Sequence, residues 1–147
     1  MIEIQKASLL TDLFGHWPDF HDAEIRGLRI DASDYRDPVL EIDFEVAEMS
    51  EETDDRGYYR DRQRARTTIS FTRVANLRIE GVFSQNVIAE LSLEPTGAAD
   101  FDEVLGSDDA RARRQHRVSW TSSLGMGASF LCDEITVVGA SVCARAS

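Results

Sequence analysis

Four side chains within one short stretch have the chemistry of a metal or acid–base site: His16, His21, Asp22 and Glu24. Imidazole nitrogens and carboxylate oxygens are the usual ligands of zinc and related metals. Their spacing matches no known zinc motif, and the third histidine, His116, lies alone far downstream. Bonding to backbone groups where a loop meets a strand is therefore favoured over metal binding.

An enzyme would need more than these four residues. His21 and Glu24 could pair as a general base and its orienting group, but a nucleophile is still required. The sequence has no Gly-x-Ser-x-Gly turn, and the segment Gly125–Gly127 lacks the length and the lysine of a phosphate loop. We therefore expect no catalytic residue, no metal and no cofactor. A small metal-dependent hydrolase built on the four residues named first remains the alternative.

The clearest strand of the sequence carries a row of carboxylates, the acidic ladder. Apolar residues alternate there with acids: Leu40, Ile42, Phe44 and Val46 with Glu41, Asp43 and Glu45. This alternation puts the apolar side chains on the core and the carboxylates on the other face, about 6.5–7 Å apart. Either arginines of a neighbouring strand face the ladder, or the ladder is an anionic patch that docks a basic partner. The candidate arginines are Arg66, Arg73 and Arg78.

The charge of the whole chain favours a basic partner. It has 27 acidic and 16 basic residues, a net charge of -11. Such a surface repels nucleic acid and accelerates association with a basic protein, although acidity also serves solubility alone. Four more carboxylates follow the ladder. Together these seven residues are the candidate partner-binding set: Glu41, Asp43, Glu45, Glu51, Glu52, Asp54 and Asp55.

Two groups of arginines do not point to a nucleic-acid site. The first comprises Arg60, Arg62, Arg64 and Arg66, and the second comprises Arg111, Arg113, Arg114 and Arg117. Each group follows an acidic run of similar size, so the local charge nearly cancels. Solvated loops, or loops that pair with themselves, are favoured over phosphate binding.

Length and composition predict one soluble domain over residues 1–147. No apolar run approaches the roughly 20 residues of a membrane span, and the first residues do not resemble a secretory signal. We therefore expect a cytoplasmic protein with no membrane partner. Cys132 and Cys143 are then expected to be buried small residues rather than a disulfide. The oligomeric state stays open, a dimer included, because β-rich domains can pair at their edges. A non-catalytic oligomeric interaction module is therefore a further alternative function.

The elements that must position these side chains are one helix and a series of strands. Helical spacing predicts an amphipathic helix over Ile4–Phe14, ended by Gly15. Strands are expected at about Ala23–Ile30 (with a bulge at Gly27), Leu40–Val46, Ala65–Val74, Leu77–Phe83, Val87–Leu93, His116–Trp120, Ser129–Cys132 and Glu134–Val138. Glu48–Arg64 is a long loop or a hairpin extension, and Asp100–Leu105 is a short helical turn. The predicted fold is a β-rich α+β domain, in which an N-terminal helix precedes a mainly antiparallel meander of about seven to eight strands.

Two segments carry a resemblance to a known family. Phe14-Gly-x-Trp17-Pro18-x-Phe20-His21-Asp22-Ala-Glu24, between the helix and the first strand, resembles the signature of immunity protein 50, a family of bacterial polymorphic toxin systems. Gly81-Val-Phe83-Ser-Gln85-Asn86-Val87-Ile88 is similar to a later segment of that family. Within the first motif, we expect structural roles for Trp17, Pro18, Phe20, His21, Asp22 and Glu24.

The resemblance implies a small cytoplasmic protein, encoded beside a toxin, that binds and neutralises it. Such an inhibitor needs no catalytic machinery. Many toxins of these systems are basic nucleases, to which an acidic inhibitor has the complementary charge. The expected partner is therefore a cognate protein toxin, and charge favours a basic one.

Overall fold

A computed structural model describes residues 2–53, 56, 59–97 and 114–143. The elements in this part of the chain are α1 (Ser8–Phe14), β1 (Glu24–Asp31), β2 (Val39–Thr53), β3 (Tyr59–Phe71), β4 (Ala75–Glu80), β5 (Val87–Pro95), β6 (His116–Leu124), β7 (Gly127–Cys132) and β8 (Ile135–Val142). The predicted β-rich fold with an N-terminal helix is confirmed. The expected turn at Asp100–Leu105 lies outside the described residues. So do Arg111 and Arg113 of the second arginine group.

The eight strands form one sheet in the order β4-β7-β6-β5-β1-β2-β3-β8. Two antiparallel meanders, β1–β2–β3 and β5–β6–β7, meet where β1 pairs with β5 around Glu24 and Val87. Phe71 of β3 and Phe130 of β7 pack edge to face with ring centroids 5.0 Å apart, although four strands separate β3 from β7 in the sheet. The sheet therefore curls back on itself, and its two halves enclose one core.

The strand β2 supplies the centre of that core, as its alternation predicted. Leu40, Ile42, Phe44 and Val46 are each at most 1% exposed. The strand then continues into the charged segment: Glu48 lies opposite Gln63 of β3, and pairing continues beyond a register shift. Of the two interpretations of Glu48–Arg64, the hairpin extension is therefore confirmed in the described residues.

The helix is shorter than predicted and begins at Ser8 instead of Ile4. Gln5 pairs with β8 instead: its N–H donates to the carbonyl of Ile135 at 2.8 Å, and its carbonyl accepts the N–H of Val137 at 2.9 Å. These bonds hold the first residues as an extended segment beside the sheet. The helix ends as predicted, because the next residue is a glycine in the left-handed region.

Register shifts and loops displace several expected strand residues. The bulge of β1 lies between Ile25 and Gly27, as predicted, but Ile30 is 55% exposed and is not a core anchor. β5 runs beside β1 only at its beginning, so it does not cover Ile30. In β5, alternation alone would put Val87 and Ala89 on the core face. Register shifts on either side of Ile88 instead bury Ile88 in the core. The strand predicted to reach Phe83 ends at Glu80, and Phe83 is exposed in the next loop.

Among the described residues, no helix combines the length and the apolar character that crossing a bilayer requires.

Candidate functional site

The segment between α1 and β1 is held in place by its aromatic side chains. Phe20 is 3% exposed, and its ring lies edge-on to that of Phe44, with centroids 5.3 Å apart. Trp17 is partly buried and packs on Phe20 at 5.6 Å, and Pro18 is buried beside it. This stacking fixes the path of the chain from the helix into β1.

His16 and Glu24 are engaged with different partners. His16 Nε2 forms a short hydrogen bond with the Glu48 carboxylate on β2, and Glu24 Oε2 lies 3.4 Å from Arg26 Nη2. Within the described ranges, no three His, Cys, Asp or Glu side chains are placed to hold a metal ion. His16 and Glu24 are thus each paired with a residue outside the four named at the start.

His21 is an exposed loop residue that is bonded to the strand β5. Its ring Nδ1 donates a hydrogen bond to the carbonyl of Ala89 in β5 at 2.6 Å, and its backbone N–H donates to Asp19 Oδ1 at 2.9 Å. Asp22 Oδ2 lies 3.7 Å from its Nε2. The bond to the Ala89 carbonyl, and next the charge of Asp22, raise the pKa of His21. These contacts favour the charged form of the imidazole.

The two segments that resemble family motifs meet at one seam between the halves of the sheet. The N–H of Asp22 donates to the carbonyl of Ile88, and the N–H of Ile88 donates to the carbonyl of Ala23, both at 2.8 Å. Two residues further along, the N–H of Ile25 donates to the carbonyl of Asn86 at 2.8 Å. Sequence reasoning treated these segments separately, but the fold joins them backbone to backbone.

Arginines of β1 face the acidic ladder. Arg29 binds Asp43 with two nitrogens, at 2.7 and 3.0 Å, and lies 3.8 Å from Glu41. Arg26 donates from Nε and Nη2 to Glu45 Oε2 at 2.9 and 2.6 Å. The ladder is therefore largely neutralised by its neighbours. Its three side chains remain 40%, 34% and 13% exposed in chain order.

One of the three expected arginines, Arg66, does face the ladder, in addition to the arginines of β1. Arg73 instead pairs with Asp133, and Arg78 lies in β4 at one edge of the sheet. Arg66 does lie opposite Glu45 in β3, and its charge is a minor cause of the lowered pKa of that carboxylate. The sequence thus predicted an arginine from β3, on one side of β2, but not the arginines of β1 on the other side.

Asp43 is the most strongly held of the ladder carboxylates. Hydrogen bonds from Arg29 and then from Thr68 lower the pKa of Asp43 from 3.8 to about 2. The bare backbone of Gly27 makes room for this arrangement, because a Cβ there would lie 2.7 Å from Asp43 Oδ2. The bulge in β1 thus accommodates the ion pair.

We expect Asp43→Asn to destabilise the protein at neutral pH and to lose that effect in acid. A carboxyl whose pKa is lower in the folded than in the unfolded chain stabilises the folded state above the unfolded pKa, and the contribution vanishes as pH falls through the folded pKa. The gap between wild type and variant in urea unfolding should therefore be full above about pH 5 and disappear near pH 2. Glu41→Gln is the matched control. A gap that is constant from pH 7 to pH 2 would contradict the ion-pair explanation.

Neither cysteine is placed as a nucleophile. Cys132 is buried, and burial raises the pKa of its thiol to about 12, so the thiolate is scarce at neutral pH. Cys143 is partly exposed, with its Sγ 3.8 Å from Glu45 Oε1. Both are free thiols, and the expectation of burial holds for Cys132 but only in part for Cys143.

A polar network near the turn between β7 and β8 was missed by sequence reasoning. The carboxylate of Asp133 accepts a short bond from Arg73 and the N–H of Gln115 at 3.1 Å. Its carbonyl lies 2.5 Å from Nδ1 of His116, and Arg114 Nε binds the carbonyl of Arg73. Burial, and next the charge of Arg73, lower the pKa of Arg114. The members come from three distant segments, so no local pattern could have indicated the network, which ties these segments together.

Comparison with known proteins gives one match. The model of the family described as Immunity protein 50 matches residues 6–143, nearly the whole chain. Searches of curated proteins and of solved structures found no match.

Proposed function

Because this chain belongs to the immunity protein 50 family, we propose that it binds a cognate toxin domain in the cytoplasm and neutralises it without catalysis. The family match over residues 6–143 is the observation that carries this proposal. The separate partners of His16, His21 and Glu24 agree with a protein that acts by binding.

The proposed toxin is a basic protein such as a nuclease, whose active site must hold phosphates. A net charge of -11 on the inhibitor would accelerate encounter with such a protein. The proposed contact set is the seven acidic residues named above: Glu41, Asp43, Glu45, Glu51 and Glu52 belong to β2, and Asp54 and Asp55 lie outside the described residues. Because Arg29 and Arg26 of β1 neutralise Asp43 and Glu45, these two carboxylates contribute less to the attraction of a basic partner. Glu41 is the most exposed ladder carboxylate. The remaining four add charge further along the sequence.

The function is tested by co-expression with the toxin domain encoded by the adjacent gene. Cells that express the toxin domain alone should stop growing, and co-expression of this chain should restore growth. The two proteins should also co-purify as one complex. Failure of both rescue and co-purification would sink the proposal.

Removing charge from the hairpin is expected to slow association with that toxin domain. The variant carries Glu51→Gln, Glu52→Gln, Asp54→Asn and Asp55→Asn. Loss of local electrostatic steering should lower the association rate about tenfold at low salt and flatten its dependence on salt. Stopped-flow fluorescence or surface plasmon resonance measures both quantities.

A matched control removes four exposed carboxylates elsewhere: Glu3, Asp12, Glu94 and Glu134, each replaced by its amide. Both variants lose the same net charge, so a larger effect of the hairpin variant locates the contact. Equal slowing would assign the effect to total charge, and an unchanged rate would remove the hairpin from the interface.

A further inference from the structure

Three exposed large apolar side chains lie on two neighbouring segments, the loop after β4 and the end of β6. Val82 is 65% exposed, Phe83 is 64% exposed and Leu124 is 43% exposed. The two segments touch: a Cβ at Gly81 would lie 3.0 Å from the carbonyl oxygen of Gly125. We call Val82, Phe83 and Leu124 the apolar tip. Leaving a phenylalanine in water forgoes the roughly 1.5–3 kcal/mol that its burial supplies.

The apolar tip is held rigidly by Asn86. Its Oδ1 accepts the N–H of Phe83 at 3.1 Å and the N–H of Met126 at 3.0 Å, and its Nδ2 donates to the carbonyl of Phe83 at 3.1 Å. Met126 is buried, and its carbonyl accepts the indole N–H of Trp120 at 3.0 Å. The tip is therefore anchored to the core, and a partner would not have to order it on binding.

An exposed acidic residue, Glu80, lies two residues before Val82 of the tip. Glu24, which lies opposite Val87 at the seam, is paired with Arg26. With a net charge of -11, a second copy of this chain would meet the tip with like charge. A basic protein would meet it with opposite charge. Apolar side chains at the centre and charged groups at the rim form the usual arrangement of a protein–protein contact.

We propose that the apolar tip is the anchor on which the basic toxin domain docks, with Phe83 as its central side chain. This inference rests on the proposed function, since it assigns a contact surface to that partner. The acidic contact set and the apolar tip then have separate roles in binding. Charge increases the rate of encounter, and burial of the tip slows dissociation.

The test is Phe83→Ala, measured by surface plasmon resonance against the immobilised toxin domain encoded by the adjacent gene. We expect Kd to rise at least about 30-fold, mainly through faster dissociation, as for a central interface aromatic. The association rate and its salt dependence should stay within about threefold of wild type. Val138→Ala, an exposed apolar residue of β8 that is 53% accessible, is the control and should leave Kd within about threefold.

The outcomes separate this inference from the function itself. If wild type does not bind the toxin domain, the proposed function fails. If wild type binds and Phe83→Ala binds equally well, the tip is overturned while the function stands. If circular dichroism shows that Phe83→Ala lowers the folded fraction, Leu124→Ser is measured instead. Its Kd should rise at least about tenfold, and an unchanged Kd would contradict the proposed role of the tip. If wild type sediments as a dimer, and Phe83→Ala sediments as a monomer that still binds the toxin domain, the tip joins two copies of this chain and its proposed role is wrong.

Discussion

Phe20→Ala is expected to lower the free energy of unfolding by about 3–5 kcal/mol, the range for deleting a buried aromatic ring. Phe20 is 3% exposed and links the partly buried Trp17 to Phe44 at the centre of the core. Its removal leaves a cavity and also loosens the segment that leads from the helix into β1. Urea unfolding followed by tryptophan fluorescence measures the change.

An exposed aromatic gives the matched control. Tyr35 is 80% exposed in the turn between β1 and β2, so Tyr35→Ala should change stability by less than about 0.5 kcal/mol. Trp17→Ala should fall between the two, because Trp17 is only partly buried. A loss below about 1 kcal/mol for Phe20→Ala would show that this ring does not hold the segment on the core.

Gly125→Ala is expected to destabilise the protein by at least about 2 kcal/mol, because two effects add. Gly125 has φ +83°, a conformation that an L side chain rarely adopts. A Cβ there would also lie 2.4 Å from the carbonyl oxygen of Gln85 and 2.5 Å from Oδ1 of Asn86. The backbone carbonyl cannot rotate away as a flexible side chain could, so the two segments that carry the apolar tip must separate.

Gly15→Ala isolates the first of these effects. Gly15 has nearly the same φ, +81°, but nothing lies within 4 Å of its added Cβ. Its replacement should therefore show only the dihedral penalty of about 1–2 kcal/mol. Chemical denaturation of both variants gives the comparison, and equal losses would mean that the loop contact at Gly125 adds nothing.

Patterns within a single strand were predictable from the sequence, and relations between strands were not. The alternation around Phe44 depends on local geometry, and the structure buries that face as predicted. The partners of the ladder depended on which strand lies beside β2, and nothing near Glu41 or Glu45 in the sequence points to Arg29 or Arg26. Strand order is set by the packing of the whole core, so composition could indicate that cations were needed but not where they would come from.

The start of the helix and the end of β4 show the same limit. Gln5 lies in a helical pattern, yet β8 captures its backbone from the other end of the chain. Phe83 reads as a strand anchor because it is apolar, but Asn86 folds the chain into a turn that leaves it outside. The same limit applies to the candidate site. Motif residues such as Asp22 and Ile88 could be identified in the sequence, but their contact at the seam could not be predicted from it.

The arrangement of the sheet as two meanders joined at a short seam has a consequence for folding kinetics. Within β1–β2–β3 and within β5–β6–β7, every pairing joins strands that follow one another in the chain. The seam and the pairings of β3 with β8 and of β4 with β7 instead close long loops. Because loop closure must precede the contacts that reward it, we expect each meander to form independently and the docking of one half onto the other to limit the folding rate.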